Sequence, residues 1–189
     1  MFLTRRPTEL EIEKFIDQSR VLPLSYARVG IGNESPRGFK VDCVAAIVGR
    51  GKNAFDVARR ALAEWRHFDL GWVELYPHSA PVEPGTTVAI LIRHAGLWSL
   101  NGCRVVYSVG DAGVRVGFAY GTLTNHAEMG EEIFQVSLAP DSEEVTYEIR
   151  AVSKPRAALA RIGYPYVRFC QSRFRRDSIA AMRRAVGIR

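Results

Sequence analysis

Apolar residues recur along this chain with two periods, and each change of period marks a change of element. Thr8-Glu9-Leu10-Glu11 has the spacing of a capping box, in which hydroxyl and carboxylate each take an otherwise unpaired backbone donor. A helix is predicted over residues 8–20, burying Ile12, Phe15 and Ile16, with Pro23 beyond its end. Residues 25–38 are dense in turn formers and predict a surface loop. Over residues 39–48 the side chains alternate, Val41, Cys43, Ala45 and Ile47 against Asp42, Val44, Ala46 and Val48, which is the period of a strand. Gly49-Arg50-Gly51-Lys52 breaks it. Asn53 is placed to cap a second helix whose apolar positions, Phe55, Ala58, Leu62, Trp65 and Phe68, follow the 3.6 period.

After Gly71 the pattern turns to strands, expected near residues 72–76, 86–93, 98–109, 113–123, 131–138 and 143–152. The turn at residues 110–113 is the clearest hairpin. Strands joined this closely should pair antiparallel. Ser153 is expected to cap a last helix over residues 153–187, with Pro155 in its first turn and a kink or break at Gly163-Tyr164-Pro165. Its apolar face would be Ile162, Tyr166, Phe169, Cys170, Phe174, Met182 and Val186, with arginines opposite. No repeat or linker interrupts the chain, so one domain over residues 1–189 is expected, with residues 1–24 as an N-terminal helical extension.

A sheet of six or seven antiparallel strands cannot leave an apolar face open, and the last helix is the large amphipathic partner for it. The class is therefore α+β, a sheet curved around a C-terminal helix. Without its N-terminal helix this layout resembles the helix-grip fold, also called the birch-allergen/START-like or SRPBCC superfamily. The segments Leu97-Trp98-Ser99-Leu100-Asn101, Gly117-Phe118-Ala119-Tyr120-Gly121-Thr122-Leu123, His126-Ala127-Glu128-Met129-Gly130-Glu131-Glu132 and Ser153-Lys154-Pro155 carry a second resemblance. They are similar to a family of short bacterial and plant proteins labelled a domain of unknown function and grouped with that superfamily. The resemblance covers nearly the whole chain from about Tyr26. It implies a fold and a cavity between sheet and last helix, and it assigns no reaction and no catalytic residue.

Composition narrows the function classes. The 189 residues suit one domain, and no apolar run of about 18 residues is present to span a membrane. The first residues do not read as a secretory signal, and three scattered cysteines predict reduced thiols in a cytoplasm. The net charge of +6 is uneven: residues 154–189 hold ten basic residues against Asp177, a net +9, which leaves −3 for residues 1–153. A basic helix can meet polyanions or simply wet its outer face. With 22 arginines against four lysines, the arginine bias runs through the whole chain and weakens any special claim for its end.

Three constellations carry candidate chemistry. Val48-Gly49-Arg50-Gly51-Lys52-Asn53 lacks phosphate-loop spacing, and a tight turn with a helix cap accounts for it. His126, Glu128, Glu131 and Glu132 form the densest titratable cluster; a nearby carboxylate would raise the imidazole pKa and fit it for acid–base work. A solvated hairpin would explain the same residues. Strand aromatics are the third: Phe118 and Tyr120 share one face, Tyr147 lies on another strand, Tyr107 on a third, and Tyr164 and Tyr166 belong to the closing helix. Clustered tyrosines fit either an ordinary core or an apolar site with a few polar anchors. The expected ligand-binding residues are Trp98, Tyr107, Tyr120, His126, Glu128, Glu132, Tyr147 and Tyr166. The leading expectation is an apolar or amphipathic small molecule as partner, without cofactor or metal and with no nucleic acid. An enzyme using His126, Glu128 and Glu132 for acid–base chemistry is the alternative, and binding of a nucleic acid or anionic surface through the arginine-rich helix is a third reading.

Overall fold

The computed structural model describes residues 1–110, 113–156 and 163–187. The capping box forms as the spacing requires: Thr8 Oγ1 accepts from the Glu11 amide at 3.3 Å, and the Thr8 amide donates to Glu11 Oε2 at 2.8 Å. It starts α1, Glu9–Ser19. The strands are β1 Phe2–Leu3, β2 Lys40–Arg50, β3 Val73–Tyr76, β4 Thr87–Arg93, β5 Trp98–Val109, β6 Arg115–Thr122, β7 Glu128–Leu138 and β8 Glu144–Pro155. They form one antiparallel sheet in the order β2-β8-β7-β6-β5-β4-β3, with β1 pairing beside β5. Neighbours in sequence are neighbours in the sheet from β3 to β8, while β2 closes against the last strand.

The two faces of this sheet are covered differently. On the concave face lie α2, Gly51–Ala63, a single 3₁₀ turn at Arg66–Phe68, and α3, Tyr164–Val186. Phe55, Ala58, Leu62, Trp65 and Phe68 pack there with Phe118, Phe134, Tyr147, Ile149 and Met182. The C-terminal helix is thus joined by α2, which supplies more buried side chains than α3 does. On the convex face α1 sets Ile12, Phe15 and Ile16 against Ala89, Leu91 and Leu100. The loop before β2 is clamped to that same face: Gly30 and Gly32 amides each donate to the Glu131 carboxylate at 2.8 Å, and Arg150 donates to the Gly32 and Glu34 carbonyls.

Several boundaries differ from those expected. Helix α2 starts at Gly51 with Arg50 as its cap residue, and Asn53 sits inside the first turn without a capping role. Strand β7 begins at Glu128 rather than 131. Ser153, Lys154 and Pro155 end β8 instead of starting a helix, because the ladder runs on to the pair Glu128–Pro155 and holds the chain extended. Of the expected kink or break at Gly163-Tyr164-Pro165, the structure has a helix boundary: α3 starts there, and proline in the first turn displaces no helical hydrogen bond. Asp111 and Ala112 of the β5–β6 hairpin, and Ile162 of the expected apolar face, lie outside the described residues. Tyr166 and Phe169, also expected on that face, are exposed to 44% and 59%.

Candidate functional site

The first turns of α3 stand away from the concave face, and a recess of about 430 Å³ opens between them and the sheet. Phe68, Trp72, Ile90, Ile92 and Phe174 give it apolar walls, and Phe2, Leu97 and Tyr166 rim its mouth. Polar side chains converge from four strands and from α3.

Tyr120 and Glu132 are direct partners across β6 and β7, so their side chains emerge together on the concave face. The Tyr120 hydroxyl donates to Glu132 Oε2 at 2.6 Å. Burial pushes the Glu132 carboxyl up to about 7 and lifts the Tyr120 phenol as well. The tyrosine bond offsets part of the cost of ionising Glu132. Glu128 lies on the same face, separated from Glu132 by Gly130, whose φ of +151° and contact with the Val152 carbonyl leave no room for a Cβ. Gln171 donates to Glu128 Oε1 at 2.6 Å and reaches Ser153 Oγ at 3.3 Å. Burial raises the Glu128 carboxyl.

A salt link anchors α3 beside them. Arg168 grips both carboxylate oxygens of Asp42 on β2, one at 2.7 Å, and donates to Gln171 Oε1 at 2.6 Å. Arg175 Nη1 stands 3.7 Å from Asp42 Oδ2. The Arg168 bond holds the Asp42 carboxyl below its usual range. At the opposite side His94 meets Ser99 Oγ at 2.9 Å and the Tyr166 hydroxyl at 3.3 Å, while Asn101 donates to Ser99 Oγ and accepts from the Ala127 amide.

His126 reaches the recess, but not in the state expected. Its Nδ1 accepts from the Glu128 amide at 2.9 Å, which puts the proton of the neutral ring on Nε2. Burial pushes the imidazole down to about 3, and the Met1 ammonium adds to that. The expected rise from neighbouring carboxylates fails because none of the three bonds to the ring. Glu131 projects to the convex side and holds the Gly30–Gly32 loop, Glu132 is bonded to Tyr120, and Glu128 to Gln171.

Of the residues expected to bind a ligand, Tyr120, His126, Glu128, Glu132 and Tyr166 line the recess. Trp98 does not: it faces the convex side and packs on the α1 cluster. Tyr107 also faces outward, its hydroxyl donating to Glu131 Oε2 at 3.3 Å and accepting from Asn33. A bulge between Val105 and Tyr107 advances β5 two residues for one on β6 and inverts the alternation. Tyr147 is on the concave face but is core, fully buried with its hydroxyl 2.9 Å from Ser178 Oγ.

Asp42, Arg168, Gln171 and Arg175 were missed. A signal existed: Asp42 is the polar exception on the inward set Asp42, Val44, Ala46 and Val48, and Arg168, Gln171 and Arg175 repeat at helical spacing. At the β2–α2 turn, the Gly51 amide is taken by the Glu143 carbonyl and Lys52 by Asp56, as a structural turn requires. Arginines of α3 also serve the fold: Arg173 stacks over Trp72 and, with Arg176, binds Asp177, Arg183 donates to the Ile47 carbonyl and Arg184 to that of Asp69. No described helix is long and apolar enough to cross a membrane. Among the described residues no three His, Cys, Asp or Glu side chains are grouped to hold a metal.

The geometry agrees with what the chain resembles. An aromatase/cyclase, Zhui of Streptomyces sp. R1128, superposes with a TM-score of 0.50 at 13% identity, covering 78% of this chain and 93% of that one. The shared architecture is the helix-grip fold. The UPF0548 protein of Dictyostelium discoideum is 34% identical over 208 residues, covering 99% of this chain and 96% of that protein. The UPF0548 protein of Arabidopsis thaliana is 35% identical over 150 residues, covering 77% of this chain and 72% of that protein. Residues 25–181 match the model of the domain of unknown function DUF1990, and the chain belongs to that family.

Proposed function

We propose that this protein binds an apolar or amphipathic small molecule in the recess between the sheet and α3. The observation that carries the reading is the union of apolar walls with a few convergent polar groups in a space of about 430 Å³, within the range of small-molecule sites. Tyr120, His126, Glu128, Glu132 and Tyr166 are the residues that would touch the ligand. Three free thiols, Cys43, Cys103 and Cys170, fit a reducing, cytoplasmic setting. The neutral fluorophore N-phenyl-1-naphthylamine tests the reading. Its emission should rise on binding and fail to rise with Ala151→Phe, which fills the recess from β8. Equal emission from a cooperatively melting Ala151→Phe protein would remove the recess as the site.

A second reading is an enzyme of this fold, favoured by Glu132, whose carboxyl is held near neutrality beside an open space. In it Glu132 exchanges the proton, Tyr120 positions the carboxylate, and His126 acts as a neutral donor through Nε2. Once a substrate is known, Glu132→Gln should abolish turnover while binding survives. Loss of binding and turnover together would assign Glu132 to ligand holding alone.

A further inference from the structure

Resting on that reading, the donors and acceptors at the recess floor indicate which polar head its occupant carries. Most donors are engaged; the exceptions among the described residues are the His126 Nε2–H and the Arg175 guanidinium, whose contact is the ion pair with Asp42. The Tyr120 hydroxyl serves Glu132, Gln171 serves Glu128 and Ser153, Arg168 serves Asp42 and Gln171, and the Glu128 amide serves His126. The acceptors are not. An ionised carboxylate offers about four lone-pair sites. Among the described residues the side chains of Glu132 and Glu128 each accept from one partner, Tyr120 and Gln171.

The charges lean the same way. Arg168 and Arg175 face Asp42, Glu128 and Glu132, so the ionised set carries one negative charge in excess. His94 and His126 add none, because burial keeps both imidazoles neutral. The Met1 ammonium, bound to the neutral Leu100 carbonyl at 2.7 Å, keeps its charge and acts on His126, so the excess is local to Glu128 and Glu132. Arg175 is the counterweight: its guanidinium lines the recess, and its ion-pair partner is Asp42 at 3.7 Å.

We propose that the recess takes amphiphiles headed by a primary amine, the ammonium donating to Glu132 while the hydrocarbon lies along Phe68, Trp72, Ile90 and Ile92. A cation beside Glu128 and Glu132 offsets their local excess and meets the unused lone pairs through charge-assisted bonds, whereas a carboxylate head there enlarges it.

Isothermal titration of the full chain near neutral pH with octylamine, octanol and octanoate tests this, each competed with N-phenyl-1-naphthylamine. Octylamine should bind about tenfold or more tighter than octanoate, and Glu132→Gln should bring it down to the level of octanol. The wild-type ranking decides by itself if Glu132→Gln fails to melt cooperatively. Tighter binding of octanoate, lost in Arg175→Gln, would place the head on Arg175 and overturn the proposal while leaving the recess standing. Failure of all three ligands and of the fluorophore to bind would overturn the recess reading and this proposal with it.

Discussion

The two halves of α3 are held by different forces. Toward its C-terminus Ser178, Ala181 and Met182 are buried; Met182 belongs to one core with Phe55, Phe118, Phe134 and Tyr147, and Ser178 bonds the Tyr147 hydroxyl. Toward its N-terminus Phe169 faces outward, Tyr166 rims the recess, and the contacts are hydrogen bonds: Arg168 to Asp42, Gln171 to Glu128 and Ser153, Tyr166 to His94. Dispersion and apolar burial draw surfaces together until no void remains. Polar struts of fixed length do the reverse, holding helix and sheet apart at a distance set by their side chains. One helix can therefore close a core at one end and keep a recess open at the other.

Acid should expose the largest difference. His67 is fully buried in the closed half among Trp65, Phe68, Phe118, Phe134 and Tyr147, and neither ring nitrogen has a partner. Burial pushes it down to about 3, as it does His126 in the open half. The unfolded chain takes up these protons near pH 6.5, before the folded chain does. The histidine contribution to stability is therefore complete above about pH 6.5 and lost as pH falls toward 3, at about 1.36 kcal/mol per unit for each histidine. Urea unfolding at stepped pH should show these contributions against the opposing one from Glu132, and His67→Leu should lower the slope by about 1.36 kcal/mol per unit. An unchanged slope in His67→Leu would mean that the buried ring is not what acid attacks.

Truncation in the closed half comes next. Met182→Ala should cost about 2–5 kcal/mol in urea denaturation, because a packed core relaxes only partly around a cavity. A cost below that range would show that the C-terminal half is packed no better than the recess end.

Glu132 should behave in the opposite sense to the histidines. Its folded pKa, about 7, lies above its ordinary value of 4.5, so the folded state holds the proton longer. Its protonated form favours folding below the unfolded pKa, and that advantage is lost as pH rises through 7. Glu132→Gln should therefore stabilise the protein at pH 8 by about 3 kcal/mol and change little at pH 4. Destabilisation at pH 8 would show that the ionised carboxylate is well paired. The smallest effect belongs to Phe169→Ala, which should stay within about 0.5 kcal/mol because the ring is exposed. A cost like that of Met182→Ala would erase the contrast between the halves.

Local rules settle local features, and those were readable from the chain. The Thr8–Glu11 box, the alternation of β2 and the strand sequence after Gly71 each depend on residues a few positions apart, so spacing alone determined them. The sheet with its closing C-terminal helix followed from that order, and so did Tyr120, Glu128 and Glu132 as polar residues of one region. Tertiary structure decided what each of them faces. A single bulge after Val105 turned Tyr107 outward, and adjacent residues of β7 sent Glu131 to the loop clamp and Glu132 to the recess. Pairing with β7 kept residues 153–155 extended where Ser-Lys-Pro reads locally as a helix start. Asp42 meets Arg168 across 126 positions of chain, a partnership that no local period encodes. Side-chain direction alternates at every residue of a strand, so one inserted residue reverses a face, and only the assembled sheet fixes which face is the floor.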